Sequence, residues 1–172
     1  ARCISGRPVS GSPATMWAAP VTQAVSATRV GPPSSSAATI PVTLRQTKKN
    51  GVSDAVASFT IPLCATIHLA GSTSKIFSFA FAIVLTQGLT VSSLQWVGFI
   101  FMLGITMVAA PGVPGGAIMA SLGILQSILG FDESAQALMI ALYIAMDSFG
   151  TACNVTGDGA IALIIDKVMG KK

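Results

Sequence analysis

Long apolar blocks alternate with short polar or Pro/Gly-rich interruptions through most of the chain. Between Ile76 and Phe131 there is no Asp, Glu, Lys, Arg or His. Because about 20 helical residues cross the hydrocarbon core of a bilayer, blocks of this length predict membrane helices. The interruptions divide the chain into four helical segments: 34–49, 54–87, 92–130 and 134–168.

Two of these segments contain an interruption of their own. Segment 54–87 holds the polar stretch "HLAGSTSK", and since unwound backbone at membrane depth must be surrounded by protein or a water-filled cavity, we expect a broken helix there. Segment 92–130 holds "APGVPGGA", whose prolines and glycines cannot continue a helix. Two spanning helices or a re-entrant hairpin both fit, and the shortness of the second arm, 117–130, favours the hairpin.

The two ends of the chain differ in character. Segment 134–168 is predicted as one long final helix, which exceeds the bilayer thickness and must tilt, bend or protrude. Residues 1–33 are rich in Pro, Gly, Ser and Arg and show no helical or strand periodicity. We therefore expect residues 1–33 to be irregular or disordered.

Composition and charge agree with an all-α integral membrane protein. Hydrophobic residues make up 52% of the chain and charged residues only 9%, whereas soluble domains carry about 25% charged residues. The net charge is +4, but the basic residues form small clusters, "RQTKKN" and "KVMGKK", next to apolar spans. This favours cytoplasmic flanks over a nucleic-acid surface, and it predicts a multi-pass protein with a cytoplasmic C-terminus.

Polar residues inside the last apolar segment form the main candidate site. In "DSFGTACNVTGDGA", Asp147, Thr151, Asn154 and Asp158 fall on one narrow face at about 100° per residue. Ionisable groups in membrane helices are costly and usually mark an ion or substrate path. A carboxylate can bind a cation or a substrate ammonium. The alternative is hydrogen bonding that holds helices together.

Little else in the sequence indicates chemistry. The three cysteines, Cys3, Cys64 and Cys153, have no metal-site spacing. A lone histidine without a nucleophile beside it gives no catalytic arrangement, so we expect neither an enzyme nor an organic cofactor.

Three separated stretches resemble one known family. The stretches "SSSAATIPVTLRQTKKNGVSDAVASFTIPLCATIHLAGST", "PGVPGGAIM" and "DSFGTACNVTGD" are similar, in order and spacing, to the dicarboxylate/amino acid:cation symporters, the glutamate-transporter-like family. The resemblance covers about residues 34–170 and implies the C-terminal half of a transport domain. Its parts would be the end of a first re-entrant hairpin (34–49), a broken seventh helix (54–87), a second hairpin that acts as a gate (92–130) and an eighth helix (134–168).

The resemblance also implies site residues. Asp147 matches the acid that takes the substrate amino group, and Asp158 matches a cation-coordinating carboxylate that Asn154 assists, so a sodium site is expected at Asn154 and Asp158. Cys64, through its backbone, and His68 are further cation-site candidates. The implied substrate contacts are Ser36, Gly112, Val113, Gly115, Asp147, Thr151 and Asn154.

Departures from the family pattern bear on substrate and ion. Members that take acidic substrates carry an arginine where this chain has Gly150 or Ser34, so a neutral amino acid becomes plausible. The seventh-helix motif Asn-Met-Asp-Gly-Thr reads His68-Leu69-Ala70-Gly71-Ser72 here. The lost acid predicts a damaged cation site. An imidazole titrates near neutral pH, so His68 could carry a proton instead; the alternative is a hydrogen-bonded packing residue.

The expected function is a secondary active transporter in the inner (plasma) membrane. It would couple sodium or proton entry to uptake of an amino acid or dicarboxylate, with membrane lipid as its surroundings and no nucleic-acid partner. The resemblance implies a homotrimer, but the scaffold helices that form the trimer contact are missing. The alternative is a truncated, non-transporting membrane fragment or one piece of a split transporter.

Overall fold

The computed structural model describes residues 35–170, and this part of the chain is α-helical without strands. The predictions for residues 1–33 and for Ser34 lie outside the described residues. The helices are α1 (Ser36–Lys49), α2 (Asp54–Ile67), α3 (Ala70–Gln87), α4 (Ser93–Ala109), α5 (Gly116–Leu129), α6 (Glu133–Ala145) and α7 (Asp147–Met169).

The predicted interruption of segment 54–87 is the junction of α2 and α3. Helix α2 ends at Ile67, where the backbone N–H of His68 closes the last turn on the carbonyl of Cys64 at 2.8 Å. Leu69 then leaves the helical region with φ −109° and ψ 44° and is buried. The break lies inside "HLAGSTSK", and Leu69 faces the protein interior while Ile67 and Ala70 beside it are exposed.

Helices α4 and α5 pack against each other and are joined by residues 110–115, which we call the hairpin tip. The tip contacts the start of α1, because the carbonyl of Gly112 accepts hydrogen bonds from Ser35 Oγ (2.7 Å) and from the Ala37 N–H (3.3 Å). Gly112 also lies against the last turns of α2, since a Cβ at residue 112 would be 2.7 Å from the carbonyl oxygen of Ala65. One side of the tip therefore lies against the start of α1 and the end of α2, while Pro111, Val113 and Pro114 are exposed.

The prediction of one continuous helix over 134–168 is wrong in one respect: the helix breaks at Met146, between α6 and α7. Lys75 of α3 explains the break. Its ammonium donates to the carbonyls of Tyr143 (3.3 Å) and Met146 (3.2 Å), and the next bond of the ladder, from the Gly150 N–H to Met146, is long at 3.5 Å. A side chain that inserts into the i→i−4 ladder is a recognised cause of helix kinks.

Two apolar clusters flank α7. The larger contains buried residues of α3, α4, α5 and α6, and the smaller joins α2 and the α1–α2 connection to Ala162 of α7. Large apolar side chains also cover the outside: Phe59, Leu94 and Phe149 are 71%, 81% and 70% exposed. Such surface is unusual for a soluble protein. In the described residues, Asp54–Gln87 and Asp147–Met169 have the length and hydropathy needed to cross a membrane.

The end of α7 lies beside the α1–α2 connection. Ser53 donates from both its backbone N–H and its hydroxyl to Oδ1 of Asp166, and Lys48 pairs with Asp54 at 3.1 Å. The "RQTKKN" cluster and the last basic residue of α7, Lys167, thus lie at the same end of the molecule.

Candidate functional site

The polar stripe of α7 faces the protein interior. Asp147, Thr151, Asn154 and Asp158 are 9%, 4%, 1% and 1% exposed. A glycine of α3 lets that helix approach α7 closely, since a Cβ at Gly71 would be 2.5 Å from the carbonyl oxygen of Gly150. The stripe therefore packs directly on the α2–α3 break.

A narrow cavity of about 10 Å³ lies at this meeting point, which is the space that one water molecule needs. Helix α1, the hairpin tip and helices α3, α5, α6 and α7 all contribute to its wall. Its lining residues are Ser35, Ser36, Leu69, Ser72, Pro111, Gly112, Val113, Ala117, Tyr143, Asp147, Thr151 and Asn154.

Most of the predicted substrate contacts are brought together there. Ser36, Gly112 and Val113 face the α7 stripe across the cavity. Gly115 is not among the lining residues; it caps the start of α5 with φ 71°, a left-handed conformation that favours glycine.

Asn154 is the hydrogen-bonding centre of the site. Its Oδ1 accepts the backbone N–H of Gly71 at 2.8 Å, and its Nδ2 donates to the hydroxyls of Ser36 and Ser72, each at 3.3 Å. The amide thereby connects α7 to the starts of α1 and α3. These bonds make the side chain of Asn154 a structural connector, and the sodium site predicted at Asn154 and Asp158 stays a prediction.

Asp147 is already paired with a cation from the protein. Nζ of Lys75 lies 3.3 Å from its Oδ1 and 3.6 Å from the ring centroid of Tyr143. The side chains of Lys75 and Asp147 are only 9% and 12% exposed. The sequence analysis did not single out Lys75, although an ionisable residue inside an apolar segment was a signal for it.

Lys75 also fills the space beside Gly150, the position of the absent arginine. A Cβ at Gly150 would lie 3.0 Å from both Cε and Nζ of Lys75. A positive charge is therefore present near this position, but it is an ammonium that comes from α3.

Asp158 has a basic partner of its own. Its Oδ1 lies 2.8 Å from Nδ1 of His68, whose side chain is 26% exposed while that of Asp158 is 2% exposed. The ring packs onto Gly157, where a Cβ would overlap the imidazole. The carbonyl of Cys64, a predicted backbone ligand, accepts the N–H of His68 at 2.8 Å. In residues 35–170, no three His, Cys, Asp or Glu side chains form a group that could hold a metal ion.

These features define a class: helical membrane proteins whose broken helices surround a buried polar site. The sodium:dicarboxylate symporter family model matches residues 12–168, and the chain belongs to this family. The match begins within the segment 1–33, for which the sequence analysis expected no resemblance. Family membership agrees with the membrane-helix character of the described residues.

Individual relatives agree with the family. The chain is 31% identical over 140 residues to excitatory amino acid transporter 3 of Mus musculus, covering 81% of this chain and 27% of the relative. It is 30% identical over 136 residues to the serine/threonine transporter SstT of Acinetobacter baumannii, covering 77% of this chain and 34% of the relative. The chain thus spans between a quarter and about a third of the length of these relatives.

Proposed function

We propose that this chain forms the substrate- and ion-binding part of a cation-coupled symporter for an amino acid or dicarboxylate. One observation carries the proposal: the buried stripe of α7 lies against the break of α2–α3, the start of α1 and the hairpin tip, and these enclose a polar cavity. Helix starts and tip amides offer N–H donors to a carboxylate, while the stripe offers carboxylates to cations.

The hairpin tip acts as the gate in this proposal, with α4 and α5 as the arms of a re-entrant hairpin. Their 17 and 14 residues fall short of the ~20 that cross a bilayer. The cavity has room for about one water molecule, so an organic substrate requires the tip to move. The bonds from Ser35 Oγ and the Ala37 N–H to Gly112 hold the tip closed and must break first.

The coupling ion binds at Asp158. His68 already occupies one oxygen of this carboxylate at 2.8 Å, which favours a proton over sodium as the coupling ion. Cys64 is the other titratable group near Asp158. In this scheme the protonated imidazole pairs with Asp158, and the pair stabilises the packing of α7 on the α2–α3 break beside the cavity. Sodium coordinated by Asp158 and Asn154 is the competing scheme.

The distribution of charge and the family resemblance indicate the membrane, the orientation and the oligomeric state. The "RQTKKN" cluster and Lys167 lie at one end of the described residues, so the positive-inside rule favours a cytoplasmic location for that end of a plasma-membrane protein. A homotrimer would require scaffold helices of the kind that the family resemblance implies.

Transport by the purified chain tests the proposal. In proteoliposomes, uptake of labelled aspartate, serine and succinate is followed under a proton gradient or a sodium gradient. We expect accumulation of at least one compound under the proton gradient and its loss in Asp158→Asn. Accumulation driven by sodium alone contradicts proton coupling. No accumulation under either gradient contradicts transport by this chain and favours the fragment alternative.

A second variant separates the two ions. His68→Asn restores the asparagine of the family motif and removes the titratable ring. We expect it to lose proton-driven accumulation and to gain sodium dependence. The matched control is Thr156→Ala, on the opposite face of α7, where the hydroxyl only bonds the carbonyl of Ala152. Unchanged coupling in His68→Asn would contradict the role of His68.

A further inference from the structure

Lys75 is a buried ionisable residue that the proposed transport cycle does not use. Its ammonium donates to Oδ1 of Asp147 at 3.3 Å and to the carbonyls of Tyr143 and Met146 at 3.3 and 3.2 Å. An ammonium has three N–H donors, so these acceptors match all of them. The charge is therefore held in a complete shell.

The space around Lys75 is shaped for this side chain. The ammonium lies 3.6 Å from the centroid of the Tyr143 ring, in a cation–π contact. Gly150 leaves room for Cε and Nζ, each 3.0 Å from where a Cβ would be. An uncharged residue at 75 would leave the Asp147 carboxylate buried without a counterion.

The position of Lys75 changes what Asp147 can bind. The resemblance assigns Asp147 to the substrate amino group, but here its carboxylate already holds an ammonium. A second ammonium brought to the same carboxylate would lie close to Lys75, and like charges in a buried site repel strongly. A substrate without a cationic group meets no such repulsion.

We infer that Lys75 is a specificity-determining residue, a built-in ammonium on Asp147 that selects carboxylate substrates without an amino group over α-amino acids. The inference rests on the proposed function, in that the cavity beside Asp147 is the substrate site. The hydroxyls of Ser36 and Thr151 in the wall agree, because they can donate to a carboxylate and carry no charge that would neutralise an ammonium.

Binding of two matched ligands tests the inference. Succinate and aspartate differ only in the α-ammonium, and their affinities for the purified full chain in lipid nanodiscs are measured by calorimetry. We expect the unmodified chain to bind succinate more tightly, by about tenfold or more, because of the repulsion from Lys75. In Lys75→Met, which keeps the length of the side chain, we expect aspartate binding to tighten by about tenfold, since Asp147 is then free.

Two further variants make the result interpretable. Lys49→Met removes a lysine from the exposed end of α1 and should leave both affinities unchanged. The double variant Lys75→Met/Asp147→Asn removes both charges, so no buried charge is left unpaired if Lys75→Met alone fails to fold. We expect it to bind the two ligands with similar affinities.

The outcomes separate the inference from the proposed function. If the unmodified chain binds aspartate as tightly as succinate, and Lys75→Met keeps that ratio, the inference is overturned while the cavity remains a substrate site. If neither ligand binds to any of the variants or to the unmodified chain, the proposed substrate site is contradicted, and the inference falls with it.

Discussion

The two acids of α7 have basic partners of different kinds. Asp147 pairs with Lys75 at 3.3 Å and Asp158 pairs with His68 at 2.8 Å. The lysine side chain is 9% exposed and the histidine side chain is 26% exposed. Lys75 donates to three acceptors, whereas the ring of His68 makes one hydrogen bond, to Asp158. The first centre is therefore the more buried and the more fully hydrogen-bonded of the two.

This difference bears on the two roles proposed above, selection of a substrate beside Asp147 and coupling to an ion at Asp158. Both partners come from one feature, the α2–α3 break: His68 follows the end of α2, and Lys75 lies in the second turn of α3. The polar stretch "HLAGSTSK" thus supplies the basic partners of both acids.

Removing each acid of α7 in turn gives the largest expected effect on stability. Asp147→Asn leaves the ammonium of Lys75 buried without its counterion, so we expect a loss of about 3–5 kcal/mol in the free energy of unfolding. Asp158→Asn should cost less, about 1–3 kcal/mol, because the ring of His68 is more exposed than Lys75 and makes a single hydrogen bond to this acid. Denaturant unfolding of the full chain in detergent micelles measures both losses in the free energy of unfolding.

The control for this comparison is a surface acid. Asp54 pairs with Lys48, but its side chain is 85% exposed, so Asp54→Asn should change stability by no more than about 1 kcal/mol. Equal losses for Asp147→Asn and Asp158→Asn would show that the two centres do not differ as described.

The sequence predicted the acid of each pair but not its pairing with a basic residue. Helical periodicity was enough to place Asp147, Asn154 and Asp158 on one face, because that depends only on spacing within α7. Their partners are 72 and 90 residues away along the chain, and such pairings depend on tertiary packing. His68 entered as a cation-site or proton-carrying candidate, with a hydrogen-bonded packing residue as the alternative, but without its partner Asp158, and Lys75 was overlooked.

The helix boundaries show the same limit. The break at His68 and Leu69 was predictable because the polar stretch there is local. The break at Met146 was not, since its sequence, "ALYIAMDSFG", is without Pro and its cause is a lysine from another helix. Local sequence signals identify interruptions that the segment itself creates, not those that a neighbour imposes.

Alanine substitutions at the glycines beside His68 and Lys75 should have smaller effects on stability. Gly157→Ala would push a methyl group into the rigid imidazole of His68, and we expect a loss of about 1–3 kcal/mol from overpacking. Gly150→Ala meets the flexible end of Lys75, which can shift by a few tenths of an ångström, so its effect should stay within about 1 kcal/mol. Thermal unfolding of the two variants in micelles measures the difference.

A third glycine serves as the reference for these variants. A Cβ at Gly98 of α4 meets nothing within 4 Å, so Gly98→Ala should be neutral or stabilise by up to about 1 kcal/mol through helix propensity. If Gly150→Ala destabilises more than Gly157→Ala, then Lys75 is held more rigidly than His68, and the assignment of a fitted ring and an adjustable chain is wrong.

The smallest expected effects concern Asn154, the neutral residue between the two centres. Its Nδ2 donates to both Ser36 and Ser72, so either Ser36→Ala or Ser72→Ala leaves one acceptor, and each should cost about 0.5–1.5 kcal/mol. The double variant leaves a buried amide donor without these partners, and we expect its loss to exceed the sum of the single losses by about 1 kcal/mol. Unfolding free energies of the three variants complete this cycle. Strict additivity would mean that the two hydroxyls act independently, so that Asn154 does not tie the starts of α1 and α3 into one unit.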